Sequence, residues 1–177
     1  EAAKARLTPH KKIVFDAAEK FDVDPYLLGA IIIDEMARFA PWEPATDPLF
    51  GFFIGFNASV GIAQVTIETA RGLIRDGYYN PNPTDPRLSS NKIGETARKD
   101  LYEYVKQPKY SIFLAAAHMR ALIDTWKRFV DLNKKPQIIA TLYSIGRGKP
   151  PHGNPQPNKR GLQISGEFYH LARGWLV

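Results

Sequence analysis

The chain has 177 residues, no cysteine and a formal net charge of +6, from 24 Lys and Arg against 18 Asp and Glu. A hydrophobic content of 44% can form a core, which excludes a disordered segment, and the length fits one domain. The absence of cysteine excludes disulfides and thiolate metal sites. The apolar run at residues 27–33 is seven residues long, far below the ~20 that cross a bilayer. We therefore expect one domain over residues 1–177, with no membrane span.

The basic charge balance favours anionic partners, such as nucleic acid, anionic lipid or bacterial cell-wall polymers. A mildly basic, solvated surface explains the same balance without any partner. The basic pairs are isolated and lack the continuous stripe of a nucleic-acid reader, so no nucleic-acid partner is expected: Lys11-Lys12, Lys134-Lys135 and Lys159-Arg160. The four histidines are scattered without the spacing of metal ligands, so we expect neither a metal site nor a cofactor. Because the chain begins with Glu1, we expect a processed product or an excised domain.

Helical periodicity and helix-start signals predict seven helices. Thr8-Pro9 and Asp24-Pro25 each place a capping side chain before a proline at the first helical position. The predicted helices cover residues 9–21, 25–39, 61–75, 92–106, 110–130, 136–145 and 164–175. Ser59 is the candidate cap of the third helix. Since no segment shows sustained alternation of apolar and polar residues, the sequence predicts an all-α domain.

Three segments do not fit a helical pattern. Residues 76–90 and 147–161 are rich in proline, asparagine or glycine and are predicted to be loops. Residues 42–58 are apolar but interrupted by glycines, which is compatible with a small hairpin or a surface flap. The aromatic side chains of this segment are candidates for the wall of a sugar cleft or for a small hydrophobic cluster.

Glu35 lies within an apolar stripe of the second predicted helix. The stripe follows the spacing of one helical face: Leu28, Ile31, Ile32 and Phe39. Asp34 is predicted to turn aside and to stay solvated. A carboxyl group in apolar surroundings loses hydration of its charged form, which raises its pKa and suits it to general acid catalysis. The alternative is a glutamate at the edge of the stripe, paired with an arginine or capping a helix.

Several short motifs occur together in a characteristic order. Residues 28–35 read LGAIIIDE, residues 59–65 read SVGIAQV, and residues 141–144 read TLYS with Gly146 close behind. The helix at residues 111–122 precedes the third motif. Over residues 24–147 this order resembles the lytic transglycosylase and goose-type lysozyme superfamily, which implies a lysozyme-like all-α fold. The chain departs from the usual pattern at Met36 and Ser144, where the family commonly has serine and asparagine.

The resemblance implies cleavage of the β-1,4 bond between N-acetylmuramic acid and N-acetylglucosamine in peptidoglycan. Glu35 would be the catalytic acid. Tyr143 would hydrogen-bond near Glu35 and hold its orientation, and the other residues carried over would contact the glycan: Ser59, Gly61, Ile62, Gln64 and Ser144. Taken singly, Gln64 also fits a surface or packing amide, and Tyr143 an ordinary core aromatic residue.

The resemblance favours a lytic transglycosylase, in which the C6 hydroxyl of the substrate closes a 1,6-anhydro ring and one carboxyl group suffices. A muramidase, which hydrolyses the same bond, needs a second carboxylate, ~6.5–9.5 Å away in an inverting mechanism. Glu43, Asp47 and Glu68 are the candidates. Because of the departures at Met36 and Ser144, a non-catalytic peptidoglycan-binding module remains an alternative. The positive net charge leaves a basic nucleic-acid binder as a third alternative.

An enzyme of this class would act in the periplasm or after secretion, where its peptidoglycan substrate lies. A protein inhibitor or immunity partner is a possible companion of such an activity. Remodelling of the producer's own wall and attack on a competitor are the two roles that this activity implies.

Overall fold

Most of the chain that the structure describes is helical. A computed structural model describes residues 2–39, 59–146 and 150–177. Its α-helices are α1 (Ala2–Leu7), α2 (Lys11–Phe21), α3 (Pro25–Phe39), α4 (Ile67–Arg75), α5 (Arg98–Val105), α6 (Pro108–Trp126), α7 (Pro136–Ile145), α8 (Lys159–Gln163) and α9 (Tyr169–Leu176). Short 3₁₀ turns lie at Thr8–His10, Pro86–Leu88 and Leu132–Lys134, and a π-helical segment, Ile164–Phe168, joins α8 to α9.

In the described part of the chain, two very short strands accompany the helices. Strand β1 (Ser59–Val60) pairs antiparallel with β2 (Val65–Thr66), so that Ser59 lies opposite Thr66 and Val60 opposite Val65. These four residues do not change the class of the fold. The prediction of an all-α, lysozyme-like domain is confirmed.

The two predicted helix starts have different outcomes. Asp24 caps α3 as expected, because its Oδ1 accepts hydrogen bonds from the backbone N–H groups of Tyr26 and Leu27, at 2.8 and 3.3 Å. The cap predicted at Thr8 is wrong. The Thr8 hydroxyl donates backwards to the Lys4 carbonyl oxygen at 2.8 Å, because α1 precedes it and a 3₁₀ turn connects α1 to α2.

The remaining helix predictions differ mainly at their ends. The helix expected over residues 61–75 begins only at Ile67, and its cap is Thr66 rather than Ser59: the Thr66 hydroxyl accepts from the Thr69 N–H at 3.0 Å. The first half of the helix predicted over 92–106 is a series of turns, and α5 alone is helical there. Helix α7 has the predicted bounds. The loop expected over 147–161 gives way to α8 at Lys159.

Helix α3 is the central element of the fold. It packs against α1, α2, α6, α7, α9 and the π-helical segment, and residues 27–36 are all buried. Its closest neighbour, α9, approaches so tightly that a Cβ at Gly29 would lie 2.7 Å from Leu176 Cδ1. The prediction that Asp34 stays solvated is therefore wrong, since α3 has no exposed face at that level.

The described residues contain no helix that is both long and apolar enough to cross a membrane. The segment 42–58, predicted as a hairpin or flap, lies outside the described residues, which resume at β1. Glu43 and Asp47, two of the candidate second carboxylates, lie outside them as well.

Candidate active site

Glu35 lies near the C-terminal end of α3, with only 7% of its surface exposed. The helix places it beside Asp34, which is 1% exposed. Two adjacent carboxyl groups at this depth repel each other and both lose hydration, so their charges need compensation. The compensation comes from arginine side chains.

Arg160 bridges the two carboxyl groups from α8. Its Nε donates to Asp34 Oδ2 at 2.7 Å and its Nη2 donates to Glu35 Oε1 at 2.8 Å. Nη2 also lies 2.6 Å from Asp34 Oδ2, as an ion pair. Arg38 adds a second cation, because its Nε donates to Asp34 Oδ1 at 2.9 Å. Asp34 is thus held by two guanidinium groups and Glu35 by one.

The environment gives Glu35 an unusual affinity for its proton. Burial is the largest influence and raises the pKa of Glu35, Arg160 lowers it, the charge of Asp34 raises it and Arg38 lowers it, so that the pKa rises from 4.5 to about 7 in all. The net effect of these opposing influences is a carboxyl group that is half protonated near neutral pH. Such a group can deliver a proton and take one back under physiological conditions.

The turn between β1 and β2 faces α6 through an unusually close contact. Gly61 has a φ of +74°, and a Cβ there would lie 2.6 Å from both Ser111 Oγ and the Val105 carbonyl oxygen. The Ser111 hydroxyl in turn accepts a hydrogen bond from the Ala63 N–H at 3.1 Å. Only glycine fits position 61 without moving the turn away from α6.

Gln64 also has a left-handed backbone conformation, with a φ of 48°. Its side-chain Nε2 donates to the Gly61 carbonyl oxygen at 2.9 Å, and its backbone N–H donates to the same oxygen at 3.1 Å. The side chain therefore closes the turn. Ile62, the other predicted glycan contact in this turn, is 8% exposed and belongs to the hydrophobic core.

Tyr143 connects this turn to the surroundings of Glu35. Its hydroxyl donates to the Ala63 carbonyl oxygen at 3.4 Å, and its ring lies 4.7 Å from the ring of His118. Burial raises the pKa of the Tyr143 phenol far above its usual value, and the negative charge of Glu35 raises it further. The phenol is thus a permanently neutral donor within the electrostatic reach of Glu35.

The structure places the other predicted site residues in supporting positions. The Ser144 hydroxyl donates to the Thr141 carbonyl oxygen at 2.7 Å and accepts from Asn158 Nδ2 at 3.4 Å. Ser59 lies in β1, opposite Thr66. The Glu68 carboxylate, a candidate second acid, lies 3.0 Å from Arg98 Nη2 and 3.6 Å from Arg71 Nε. The glycan contacts assigned to these residues stay predictions.

Sequence reasoning missed both partners of Glu35. In the sequence, Arg160 is notable only as half of an isolated basic pair, and Asp34 is predicted to stay solvated. The one signal that pointed to this arrangement was the alternative in which a glutamate at this position pairs with an arginine. That alternative is half right, because Glu35 is paired and also keeps a raised pKa.

Within residues 2–39, 59–146 and 150–177, no group of three or more histidine, aspartate or glutamate side chains could hold a metal ion. The site as described consists of one acid of raised pKa, one bridging guanidinium and a neutral phenol. This arrangement is suited to proton transfer by a buried carboxyl group.

Comparison with known proteins gives an informative match. No family model matches the chain. The peptidoglycan muramidase Tse3 of Pseudomonas aeruginosa is 25% identical over 173 residues, which cover 93% of this chain and 38% of that protein. The chain thus spans less than two fifths of the length of this relative. A similarity of this kind, spread over nearly the whole chain, agrees with the resemblance found in the motifs.

Proposed function

We propose that this chain cleaves the glycan strands of peptidoglycan at the β-1,4 bond between N-acetylmuramic acid and N-acetylglucosamine, with Glu35 as the general acid. The observation that carries the proposal is the state of the Glu35 carboxyl group, which is buried, has a pKa of about 7 and is held on one oxygen by Arg160. Support comes from the similarity to a protein named as a peptidoglycan muramidase.

The proposed first step is protonation of the leaving oxygen. Because Oε1 of Glu35 accepts a charge-assisted hydrogen bond from Arg160, the proton of the neutral acid resides on Oε2. As the bond between the muramyl C1 and the glycosidic oxygen breaks, this proton passes to the departing oxygen. Glu35 is left as a carboxylate that the neighbouring guanidinium stabilises.

In the reaction that we favour, the C6 hydroxyl of the same muramyl unit attacks C1. A new C1–O6 bond forms, the hydroxyl proton returns to Glu35, and the product carries a 1,6-anhydro ring. This lytic transglycosylase reaction consumes no water and uses one carboxyl group as acid and then as base. The arrangement of the described residues suits it, since Asp34 is engaged by Arg160 and Arg38 rather than available as a second catalytic carboxylate.

Hydrolysis is the second candidate, and the name of the relative favours it. A muramidase reaction adds water across the same bond and requires a second carboxylate as nucleophile or base. Glu43, Asp47 and Glu68 are the residues proposed for that role. Either reaction would place the chain in the periplasm or outside the cell, with a protein inhibitor or immunity partner as a proposed companion.

Mass spectrometry of purified sacculi digested in ¹⁸O-labelled water tests the proposal and separates its forms. Anhydromuramyl products without ¹⁸O would identify a lytic transglycosylase. Reducing ends carrying ¹⁸O would identify a muramidase. Binding to sacculi with no soluble fragments would contradict cleavage and favour a peptidoglycan-binding module.

A further inference from the structure

Asp34 and Glu35 share one guanidinium group although neighbouring side chains on a helix do not face each other. The two carboxyl groups can be joined only by a third group that approaches α3 from the side. Arg160, 125 positions away from Glu35 in sequence, makes this approach from α8. Its Nε donates to Asp34 Oδ2 at 2.7 Å, and its Nη2 lies 2.6 Å from the same oxygen and donates to Glu35 Oε1 at 2.8 Å.

The distribution of these contacts shows which carboxyl group anchors the arginine. Asp34 makes two close contacts with the guanidinium group, one of them a hydrogen bond, and is the more deeply buried of the two, whereas Glu35 makes one contact. Arg160 is therefore tied to Asp34 whether or not Glu35 is charged. Its side chain is 23% exposed, against 1% for that of Asp34.

The cluster holds a countercharge for Glu35 in either of its states. Counted by formal charge, Asp34, Arg38 and Arg160 together carry one positive charge, which an ionised Glu35 neutralises. A group that acts as acid and then as base passes through both states, and the cluster loses no partner in either one. The other titratable groups that bear on this cluster are Tyr143 from α7 and His118 from α6, whose ring lies tilted against that of Tyr143.

The local fold of α8 fixes the guanidinium from the other side. Asn158 caps this short helix, because its Oδ1 accepts from the Gly161 N–H at 2.7 Å. The Asn158 N–H also donates to Thr141 Oγ1 on α7, at 3.1 Å. A Cβ at Gly161 would overlap with Thr141 Oγ1, so glycine at this position permits the contact between α7 and α8. Arg160 thus projects from a helix that is packed closely against α7.

We propose that Asp34 and Arg160 form a positioning pair that holds Glu35 by Oε1, keeps its transferable proton on Oε2 and sets its affinity for that proton. Asp34 is the anchor of the pair, and Arg160 is the part that touches Glu35. The assignment of a positioning role rests on the proposed function of Glu35, but the effect of the pair on the proton of Glu35 does not.

The test is a pH titration of the Glu35 carboxyl by ¹³C NMR in the full chain without substrate, with Glu35→Gln used to assign the signal. Asp34→Asn removes a like charge and frees Arg160 for Glu35, so the midpoint should fall by about one pH unit or more. Arg160→Met removes the opposing cation, so the midpoint should rise by about as much. In Arg160→Met, Asp34 keeps Arg38 as a partner, which favours folding.

The double variant Asp34→Asn/Arg160→Met completes the cycle and leaves no unpaired carboxylate at position 34. Its midpoint should lie below that of Arg160→Met, because the like charge of Asp34 is gone, and this comparison keeps the proposal testable if Asp34→Asn alone fails to fold. Asp124→Asn is the matched control, because Asp124 is a partner of another partly buried arginine, Arg120. The control should leave the midpoint unchanged.

Midpoints that stay at the wild-type value in the single variants, or that move in the same direction, would overturn the proposal. The titration does not depend on turnover. If sacculi are not cleaved but the midpoints move as expected, the proposed function fails and the positioning pair stands. If cleavage occurs and the midpoints do not move, the pair fails alone.

Discussion

The Tyr143 hydroxyl donates to the Ala63 carbonyl oxygen, a contact that joins two parts of the chain 80 positions apart. This hydrogen bond connects α7 to the turn that contains Gly61 and Gln64. Tyr143 is also close enough to Glu35 for the charge of that carboxylate to raise the pKa of the phenol. The phenol is buried and stays neutral, so it can only act as a hydrogen-bonding and packing group. The role that the family resemblance implies for Tyr143, holding the orientation of Glu35, can therefore be tested directly.

We expect Tyr143→Phe to lower the turnover of peptidoglycan by about 10- to 100-fold, because a small displacement of the turn or of Glu35 is costly for catalysis. The free energy of unfolding should fall by only about 1 kcal/mol, the net value of one hydrogen bond. Turnover and denaturant unfolding measured on the same sample separate the two effects.

Tyr169→Phe is the control for this change. It removes a phenol that donates to Asp24 Oδ2 at 2.7 Å, at the opposite end of α3 from Glu35. Its turnover should equal that of the wild type. Full activity in Tyr143→Phe would show that the phenol is an ordinary core group.

Two glycines with the same backbone conformation allow the close contact of the turn with α6 to be measured. Gly61 and Gly77 have φ values of +74° and +78°, but of the two only Gly61 has atoms within 4 Å of the position that a side-chain methyl would take, among them the Val105 carbonyl oxygen. Gly77→Ala should cost about 1–2 kcal/mol for its left-handed backbone. Gly61→Ala should cost at least about 2 kcal/mol more, because a backbone oxygen must move.

Chemical denaturation of both variants gives this difference directly. Equal losses of stability in Gly61→Ala and Gly77→Ala would mean that the turn does not lie against α6 as described.

The raised pKa of Glu35 predicts a specific pH dependence of stability. Because the pKa is about 7 in the folded protein and 4.5 is the ordinary value, the folded state binds this proton more tightly than the unfolded chain does. The stabilising contribution is complete below pH ~4.5 and is lost as the pH rises through ~7, by about 3 kcal/mol in all.

Glu35→Gln removes this titration. Its free energy of unfolding, relative to that of the wild type, should therefore increase by about 3 kcal/mol between pH ~4.5 and pH ~8. Denaturant unfolding at several pH values measures the difference, in which all other titrating groups cancel to first order. Parallel stability curves for the two proteins would contradict a raised pKa at Glu35.

The same proton affinity predicts the pH dependence of cleavage. The general acid must be protonated in the free enzyme, so kcat/KM should decrease above pH ~7, approaching tenfold per pH unit. A rate profile between pH 5 and pH 9 on solubilised glycan strands, in a buffer of constant ionic strength, measures this decrease. A profile that is flat across pH ~7 would exclude Glu35 as the acid whose protonation limits the reaction.

Local patterns predicted those features of the site that are encoded within a few residues of each other. The stripe of Leu28, Ile31 and Ile32 placed Glu35 on a buried helix, and the Asp24-Pro25 start of that helix is present. Both signals depend on helical spacing and capping alone, which a single segment contains.

The environment of Glu35 could not be predicted in the same way. Asp34 is buried because α3 lies at the centre of the fold, and the burial of a second helical face depends on where α7 and α9 pack. Arg160 follows a proline-rich segment and reaches the site through the contact of Gly161 with Thr141. A contact between such distant parts of the chain leaves no periodic signal in either one.

The prediction that residues 61–64 are helical is wrong for a related reason. These residues are compatible with a helix by propensity, but Gly61 and Gln64 have left-handed backbones that the close contact with α6 stabilises.

The expectation that residues 1–177 form one domain stays a prediction.

The release of soluble glycan fragments from sacculi by Glu35→Gln tests the central claim most directly, with Glu103→Gln as the matched control. Glu103 pairs with Lys106 on the surface, with 63% of its side chain exposed, so its replacement leaves the site intact. We predict that Glu35→Gln folds and releases no fragments, since an amide cannot donate the required proton, while Glu103→Gln retains wild-type activity. Fragment release by a folded Glu35→Gln variant at the wild-type rate would contradict the account.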